Sequence, residues 1–213
     1  MKGLFITFEG TEGGGKTTQI ALLSDRLKAS GRTVRVLREP GGTPIGEEIR
    51  HTLKHSANNE AMTPETELLL MNASRAQLVR EIIRPALERG EVVLCDRFYD
   101  STIAYQGFGR GLEMTQVRSI IDFAVGNTRP DLTLLLHVPL SVSEARRHSR
   151  DAGAAPVRDR IESAGREFFE RVERGFQALA RAEPRRVVEI EAAASREEVG
   201  AAIWKAVQPL LSS

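Results

Sequence analysis

Near the amino terminus, one short segment has the residue types and spacing of a loop that binds phosphate. Its residues fit the pattern G-x-x-x-x-G-K-[ST]: Gly10, Thr11, Glu12, Gly13, Gly14, Gly15, Lys16 and Thr17. Glycines let the backbone curl until successive N–H groups point inward at a phosphate, and a following helix adds the positive end of its dipole. In such a loop Lys16 reaches the terminal phosphates of a nucleotide, and the Thr17 hydroxyl ligates Mg²⁺. The segment therefore predicts nucleotide binding.

Two charged residues, Asp96 and Arg97, end a second informative segment. They follow the apolar run Val-Val-Leu-Cys, which predicts a buried strand. Ligands of α/β folds bind at the carboxyl ends of the strands, so both side chains are expected beside the phosphate loop. Asp96 can hold Mg²⁺ there, directly or through water, although it can also cap the next helix. Arg97 is well placed for a second phosphate; the alternative is an ordinary surface arginine.

The elements that must position these residues follow an alternating pattern of short apolar runs and longer helical stretches. The apolar runs predict strands at residues 4–8, 33–37, 91–96, 132–138 and 186–190. The helical stretches span residues 16–30, 45–53, 64–89, 115–125, 141–150, 160–182 and 195–211, with a cap at Thr63 and a break near Pro85. This alternation is typical of a three-layer α/β fold, a five-stranded parallel sheet with helices on both faces. Because no linker interrupts it, residues 1–213 are expected to form one domain.

Composition narrows the class of protein. The chain has 213 residues, a formal net charge of +1 and a single cysteine, Cys95. The balanced charge offers no global field for nucleic acid or membranes, and one cysteine excludes a disulfide framework. No apolar run approaches the roughly 20 residues that span a membrane, and no signal peptide is visible. We therefore expect a cytoplasmic protein that binds neither nucleic acid nor membranes, with Cys95 as a buried, inert thiol.

Five segments, taken in order, resemble the bacterial thymidylate kinases, which are P-loop nucleoside monophosphate kinases. They are residues 8–18, 38–44, 73–77, 96–107 and 159–162, which begin Phe-Glu-Gly-Thr, Arg-Glu-Pro-Gly, Ala-Ser-Arg-Ala, Asp-Arg-Phe-Tyr and Asp-Arg-Ile-Glu. The resemblance implies a P-loop fold with a short lid at about residues 147–160. It also implies transfer of the γ-phosphoryl group from ATP to dTMP, giving dTDP and ADP for dTTP biosynthesis. Mg²⁺ would be the cofactor and a homodimer the assembly.

The resemblance carries site residues over position by position. Catalytic roles are implied for Glu12, Lys16, Asp96, Arg97 and Arg150, and metal binding for Thr17 and Asp96. ATP would contact Gly10, Thr11, Glu12, Gly13, Gly14, Gly15, Lys16, Thr17, Thr18, Arg150 and Arg158. The pocket for dTMP would comprise Glu12, Arg38, Glu39, Pro40, Arg50, Met71, Arg75, Arg97, Ser101, Tyr105 and Gln106.

Within that pocket the resemblance implies a separate task for each of four residues. Arg97 would hold the acceptor phosphate, and Glu12 would lie near the deoxyribose 3′-OH. Arg75 would hydrogen-bond the edge of the thymine. Tyr105 would pack against the sugar where a 2′-OH would have to go, which disfavours ribonucleotides.

The base pocket departs from the family at one position. The family usually has an aromatic residue four positions before Arg75, where it stacks on the thymine, and this chain has Met71 there. Methionine can lie over a ring through its polarisable sulfur, so the pocket is expected to persist. Ser101 and Gln106 would be further contacts to the base.

An arginine of the lid is expected to stabilise the charge that develops during transfer. The variable positions of the phosphate loop, residues 11–14, contain no basic residue. Family members with such a loop are similar in carrying a catalytic arginine in the lid, and Arg150 is the first choice here, ahead of Arg158 and Arg147. Most other arginines between residues 146 and 174 are expected on a solvated helix face.

Two other functions stay open from the residues alone. A kinase of the same fold could act on another nucleoside monophosphate, although Arg75 with Tyr105 and Gln106 favours a deoxypyrimidine. More remotely, a nucleotide-dependent switch protein would share the phosphate loop. The chain has neither an Asn-Lys-x-Asp motif for base reading nor a basic arm for DNA.

Three smaller features have ordinary structural explanations. His51 and His55 stand four residues apart on a predicted helix, and we expect a surface pair because no third metal ligand is evident. Residues 107–111 are rich in glycine and are expected to form a flexible loop. The apolar helix faces at residues 68–78 and 120–125 would suit either a dimer contact or packing against the sheet.

Overall fold

A parallel β-sheet forms the centre of the computed structural model, which describes residues 3–56, 61–139, 141–143, 146, 160–161 and 164–211. Its strands are β1 (Leu4–Glu9), β2 (Val34–Arg38), β3 (Val92–Asp96), β4 (Leu132–His137) and β5 (Val187–Glu191). They lie in the order β2-β3-β1-β4-β5, and every pair is parallel. The predicted five-stranded parallel sheet is therefore confirmed.

The strand register brings the two sequence segments with chemistry to one edge of the sheet. Strand β1 lies between β3 and β4, and Phe8 is opposite Asp96 on one side and Leu134 on the other. The loop after β1 and the residues after β3 consequently leave the sheet side by side. Every residue of β1 is buried, as expected for a central parallel strand that is covered on both faces.

Helices cover both faces of the sheet. They are α1 (Lys16–Ala29), α2 (Pro44–His55), α3 (Pro64–Leu78), α4 (Arg84–Glu88), α5 (Tyr99–Thr102), α6 (Met114–Val125), α7 (Arg166–Ala182) and α8 (Arg196–Leu211). Alternate residues of a strand point to opposite faces. Thus Leu4, Ile6 and Phe8 pack in one core with α1 and α8, whereas Phe5 packs in a second core with α3, α6 and α7. Among the described residues, no helix is both long and apolar enough to cross a membrane.

Local signals in the sequence explain where α3 begins and ends. The Thr63 side chain accepts a hydrogen bond from the Thr66 N–H, and Pro64 occupies the first turn, as predicted. The break expected near Pro85 takes the form of a π-helical turn at Val79–Ile83, directly before α4. Proline lacks the N–H that would continue the α-helical ladder, and the wider turn accommodates its ring.

Two predicted segments differ from the structure. The helix expected over 160–182 begins only at Arg166, because Gly165 adopts an extended backbone as its N-cap and residues 160–161 form a turn. The flexible loop expected at residues 107–111 is wrong for its first half, which ends a buried π-helical turn, Ile103–Gly109. Glycine serves close packing there, since α7 crosses this turn where a larger residue would not fit.

Gly109→Ala is expected to lower the free energy of unfolding by about 1–3 kcal/mol, the usual cost of overpacking. A Cβ at Gly109 would meet Phe168 Cε2 at 2.6 Å and Val172 Cγ2 at 2.9 Å. The matched control is Gly200→Ala in α8, where the nearest neighbour would be Gln19 Oε1 at 3.4 Å. That change should raise stability by about 0.5–1 kcal/mol through helix propensity. Urea denaturation compares the two, and an unchanged midpoint for Gly109→Ala would contradict the close contact.

Candidate active site

The loop between β1 and α1 has the backbone of a phosphate cradle. Gly10, Gly13 and Gly15 have φ angles of 122°, 77° and 82°, a backbone region that residues with a side chain rarely adopt. Helix α1 begins directly after Gly15 without a side-chain cap, so its first N–H groups and the positive end of its dipole face the loop. The Lys16 Nζ donates to the carbonyl oxygens of Gly10 and Thr11 at 3.1 and 2.9 Å.

Lys16 is buried in this cradle, and burial dominates its electrostatics. Desolvation, and then repulsion from Arg97, lower the pKa of the Lys16 ammonium to about 7. The carboxylates of Asp96, Glu12 and Glu9 act in the opposite direction. A bound polyphosphate would add negative charge beside Nζ and would favour the charged form. The site is thus built to receive an anion.

Thr17 and Asp96 place two oxygen donors side by side. The Thr17 hydroxyl donates to Asp96 Oδ2 at 3.3 Å, across the gap between the start of α1 and the end of β3. Hydroxyl and carboxylate oxygens suit Mg²⁺, which in nucleotide sites takes few protein ligands and completes its shell with water and phosphate oxygens. The described residues contain no cluster of three or more His, Cys, Asp or Glu side chains that could hold a metal without such help. His51 and His55 are exposed, with ring centroids 5.9 Å apart.

Arg97 faces the cradle from the end of β3. Its φ of 70° lies in the left-handed region, which is uncommon for a residue other than glycine. One guanidinium nitrogen, Nη1, donates to the Gly10 carbonyl at 3.0 Å and to Ser101 Oγ at 3.1 Å. Burial opposes the charge of Arg97, but nearby Tyr105 and the carboxylates keep its pKa above the ordinary value. A permanent cation is therefore held beside the phosphate loop.

Glu9, which the sequence analysis did not single out, is linked to Arg97 through the Ser101 hydroxyl. Its carboxylate accepts hydrogen bonds from the Ser101 hydroxyl at 2.5 Å and from the Phe98 N–H at 2.7 Å. Burial, reinforced by the Asp100 carboxylate, raises the pKa of Glu9 to about 7. Its place in β1 directly before the glycine loop is the signal that would have identified it.

Glu39, Met71 and Arg75 form a second wall of the site, apart from the phosphate loop. Arg75 is only 2% exposed. Its Nε donates to Glu39 Oε2 at 2.8 Å, and its Nη1 donates to Asn72 Oδ1 and Thr102 Oγ1 at 3.0 Å each. Its Nη2 donates to the Phe98 carbonyl at 3.2 Å. So many partners fix the guanidinium plane, and Met71 lies one helical turn earlier on α3.

Glu39 pairs with Arg75 inside the same wall. Burial raises the pKa of the Glu39 carboxyl to about 7, and the Arg75 charge and hydrogen bond act against that rise. Its second oxygen, Oε1, is buried with no hydrogen-bond partner among the described residues. Glu39 also lines the cavity.

One cavity of about 510 Å³ joins the cradle to this wall. The predicted residues that line it are Glu12, Gly13, Gly15, Lys16, Thr17, Thr18, Arg38, Glu39, Pro40, Arg50, Met71, Arg75, Asp96, Arg97, Ser101, Tyr105 and Gln106. Gly10 and Thr11 line a smaller crevice beside β4, and Gly14 lies in the same loop. Arg150, Arg158 and Arg147 lie outside the described residues.

Several lining residues escaped the sequence analysis: Lys54, Thr102, Arg146, Ile161 and Phe169. Arg146 donates from Nη1 to the carbonyl oxygens of Gly13 and Ala192, both at 3.2 Å. Thr102 directly follows Ser101 within residues 96–107, so its position in the sequence could have indicated that it lines the site. Nothing in an arginine-rich stretch distinguishes Arg146 from its neighbours before the fold is known.

The arrangement has the elements needed for phosphoryl transfer between two bound molecules. The phosphate cradle and the permanently charged Arg97 line one cavity. Arg75, whose guanidinium is fixed by its partners, and Tyr105 line the same cavity. Such transfer depends on positioning and on cancelling negative charge, and Lys16 and Arg97 supply cations beside the phosphate loop.

Comparisons with known proteins point to one family. The family model described as thymidylate kinase matches residues 8–203. A thymidylate kinase of Deinococcus radiodurans is 49% identical over 97% of each chain, and one of Syntrophotalea carbinolica is 48% identical over 94% of this chain and 93% of its own. A crystal structure of thymidylate kinase from Ehrlichia chaffeensis superposes with a TM-score of 0.77 at 32% identity, covering 98% of this chain and all of that one.

Proposed function

This chain belongs to the thymidylate kinase family, and on that premise we propose that it transfers the γ-phosphoryl group of ATP to dTMP, giving dTDP and ADP. The observation that carries the proposal is the single cavity that joins the phosphate loop to the wall containing Arg75 and Tyr105. A donor polyphosphate on Lys16 and an acceptor phosphate on Arg97 would meet within it.

The chain's own residues divide the work of the transfer. Lys16 and the amides at the start of α1 bind the terminal phosphates of the donor, and Arg97 orients the phosphate of the acceptor. Mg²⁺ held by Thr17 and Asp96 would neutralise charge on the donor's phosphate oxygens. No general base is needed, because the attacking oxygen of a nucleoside monophosphate is already anionic. We retain Arg150 as the proposed lid arginine, within a lid at about residues 147–160.

Base and sugar recognition belong to the deeper half of the cavity. We propose that Arg75, fixed by Glu39 and Thr102, hydrogen-bonds the thymine edge. Tyr105 is buried and lies under the Arg97 guanidinium, whose carbon is 5.2 Å from the ring centroid. In that position its ring would leave little room for a ribose 2′-OH.

The test is ADP release by the purified protein with MgATP and a panel of acceptors: dTMP, dUMP, UMP, CMP, AMP, GMP and shikimate. We expect fast turnover with dTMP, slower turnover with dUMP and negligible turnover with the ribonucleotides. A missing methyl group is worth only about 1–3 kcal/mol, so dUMP is a poor substrate and not an excluded one. A preference for another monophosphate would support the rival kinase, and ATP hydrolysis without any acceptor dependence would contradict kinase activity.

Met71→Phe is expected to lower the KM for dTMP about two- to tenfold, because a ring stacked on the thymine adds about 0.5–1.5 kcal/mol. Met71 lines the cavity one turn before Arg75. The control is Ala201→Phe, which places the same ring on an exposed position of α8. Initial rates at varied dTMP measure both variants. A higher KM for Met71→Phe would mean that the sulfur side chain is already the better fit.

The proposal also covers the oligomeric state of the protein and its location in the cell. We propose a homodimer that buries Leu69 and Phe123, which are 55% and 84% exposed on the adjacent helices α3 and α6. Sedimentation equilibrium should give twice the mass of one chain, and the mass of a single chain would contradict this assembly. The cytoplasmic location and the single domain over residues 1–213 stay predictions.

A further inference from the structure

Glu67 is a buried acid that neither the sequence analysis nor the proposed reaction uses. It lies on α3 four residues before Met71 and eight before Arg75, so the three side chains share one face of the helix. Glu67 is only 1% exposed. Because a buried carboxylate is costly without partners, its contacts indicate what it is there to hold.

Three donors from other segments converge on the Glu67 carboxylate. Gln106 Nε2 donates to Oε1 at 2.8 Å. Arg110 donates from Nε to Oε1 at 3.1 Å and from Nη2 to Oε2 at 2.9 Å, and Arg160 donates from Nη1 to Oε2. One side chain of α3 thus holds the π-helical turn at Ile103–Gly109, the residue just after it and the turn at residues 160–161.

Two of these donors lead directly to the wall of the cavity. Gln106 lines the cavity itself, and its Nε2 bond to Glu67 fixes the orientation of the side-chain amide. Arg160 directly precedes Ile161, which also lines the cavity. Anchoring Arg160 on Glu67 therefore places Ile161 against the site.

The third donor reaches the cavity through aromatic packing. The Arg110 guanidinium carbon lies 4.7 Å from the ring centroid of Phe168. Phe168 in turn packs against Tyr105, with centroids 6.1 Å apart, and precedes Phe169, which lines the cavity. The Glu67 carboxylate consequently restrains the acceptor half of the cavity on several sides, whereas Lys16 and Thr17 at the donor end have separate partners.

We propose that Glu67 is a positioning residue for the acceptor nucleotide, acting through Gln106 and Ile161. The role rests on the proposed function, since it assumes that this half of the cavity binds the base and sugar of dTMP. Glu67 sets the affinity for the acceptor without touching it, and it leaves the affinity for ATP unchanged. The charge matters as well as the shape, because two arginines and an amide share one carboxylate.

Glu67→Gln tests this role, because it keeps the size of the side chain and removes its charge. We expect the KM for dTMP to rise about tenfold, because Gln106 and both arginines lose the charge of the carboxylate that orders them, while the KM for ATP stays within about twofold. The control is Glu65→Gln, an exposed residue two positions earlier on α3, which should change neither KM. A merely structural role would lower the unfolding temperature and raise both KM values together, which would overturn the proposal.

A double-mutant cycle with Gln106→Met shows whether Glu67 acts through Gln106. In the Gln106→Met background, Glu67→Gln should raise the KM for dTMP by clearly less than tenfold, and full additivity would overturn the coupling. If Glu67→Gln does not fold, Arg160→Met removes one donor and leaves Arg110 as a partner of the carboxylate. It should raise the KM for dTMP alone, and an unchanged value would overturn the anchor.

The outcome for the unmodified protein separates the two proposals. Absence of dTMP turnover in that protein would contradict the proposed function itself. Normal turnover, combined with an unchanged KM for dTMP in Glu67→Gln, would contradict only the role of Glu67.

Discussion

Lys16→Met is expected to lower kcat for ADP formation by about 10²–10³-fold, the usual cost of removing one preorganised group that stabilises charge in a transition state. The Lys16 ammonium is held by two carbonyl oxygens of the phosphate loop, at 3.1 and 2.9 Å. Methionine has a similar length and no charge, so the variant tests the charge and preserves most of the volume.

Stability should not follow activity in this variant. Burial places the pKa of Lys16 at about 7 in the folded protein, against an ordinary value of 10.5. A lysine with a lowered pKa costs stability wherever the unfolded chain is still protonated, which includes neutral pH. Lys16→Met should therefore unfold at the same temperature as the unmodified protein or higher.

Initial rates at saturating MgATP and dTMP, with thermal unfolding beside them, check both expectations. The control is Lys28→Met, an exposed position on the same helix, which should leave kcat unchanged. A kcat within tenfold of normal for Lys16→Met would contradict a role of the Lys16 ammonium in the reaction. A strongly lowered unfolding temperature would mean that lost activity reflects lost structure.

Arg97→Met is expected to lower kcat/KM for dTMP by about 10²–10³-fold while the dissociation constant of ATP stays nearly unchanged. Arg97 lines the cavity beside Ser101, which is where the acceptor phosphate would be oriented. Arg97→Lys should keep only part of the effect, since an ammonium carries the charge but lacks the planar fork for two phosphate oxygens. Methionine and lysine face the same left-handed backbone as arginine, so backbone strain is common to all three.

Acceptor titrations and ATP binding measured by calorimetry separate the two substrates. Arg118→Met, at an exposed position on α6, is the control for loss of one arginine elsewhere. If ATP binding weakens as much as dTMP kinetics in Arg97→Met, then Arg97 serves the donor or the loop, and its proposed role is wrong. The Gly10 carbonyl makes that alternative concrete, because Arg97 Nη1 donates to it at 3.0 Å.

The phosphate loop and the strand ends were legible in the sequence because their causes are local. Glycines at left-handed positions, an apolar run that ends in Asp96 and Arg97, and a Thr-Pro pair at Thr63 each depend on a few neighbouring residues. Parallel strands then bring their carboxyl ends to one edge, so the pattern alone predicted which charged residues would gather.

What the sequence could not determine depends on contacts between distant segments. From the sequence alone, Glu67 is one more acidic residue on a predicted helix. In the structure, Gln106, Arg110 and Arg160 converge on it from 39, 43 and 93 residues away. The sequence predicts that Gly109 is part of a flexible loop, whereas in the structure α7 packs against it.

Sequence by itself therefore determined the family, the parallel sheet and the end of it that holds the phosphate loop. Only the tertiary structure decided how the acceptor side of the cavity is held. Local patterns follow from backbone geometry and hydrophobic periodicity over a few residues. The partner of a buried charge follows from which segments the completed fold brings within hydrogen-bond distance, and no local pattern carries that information.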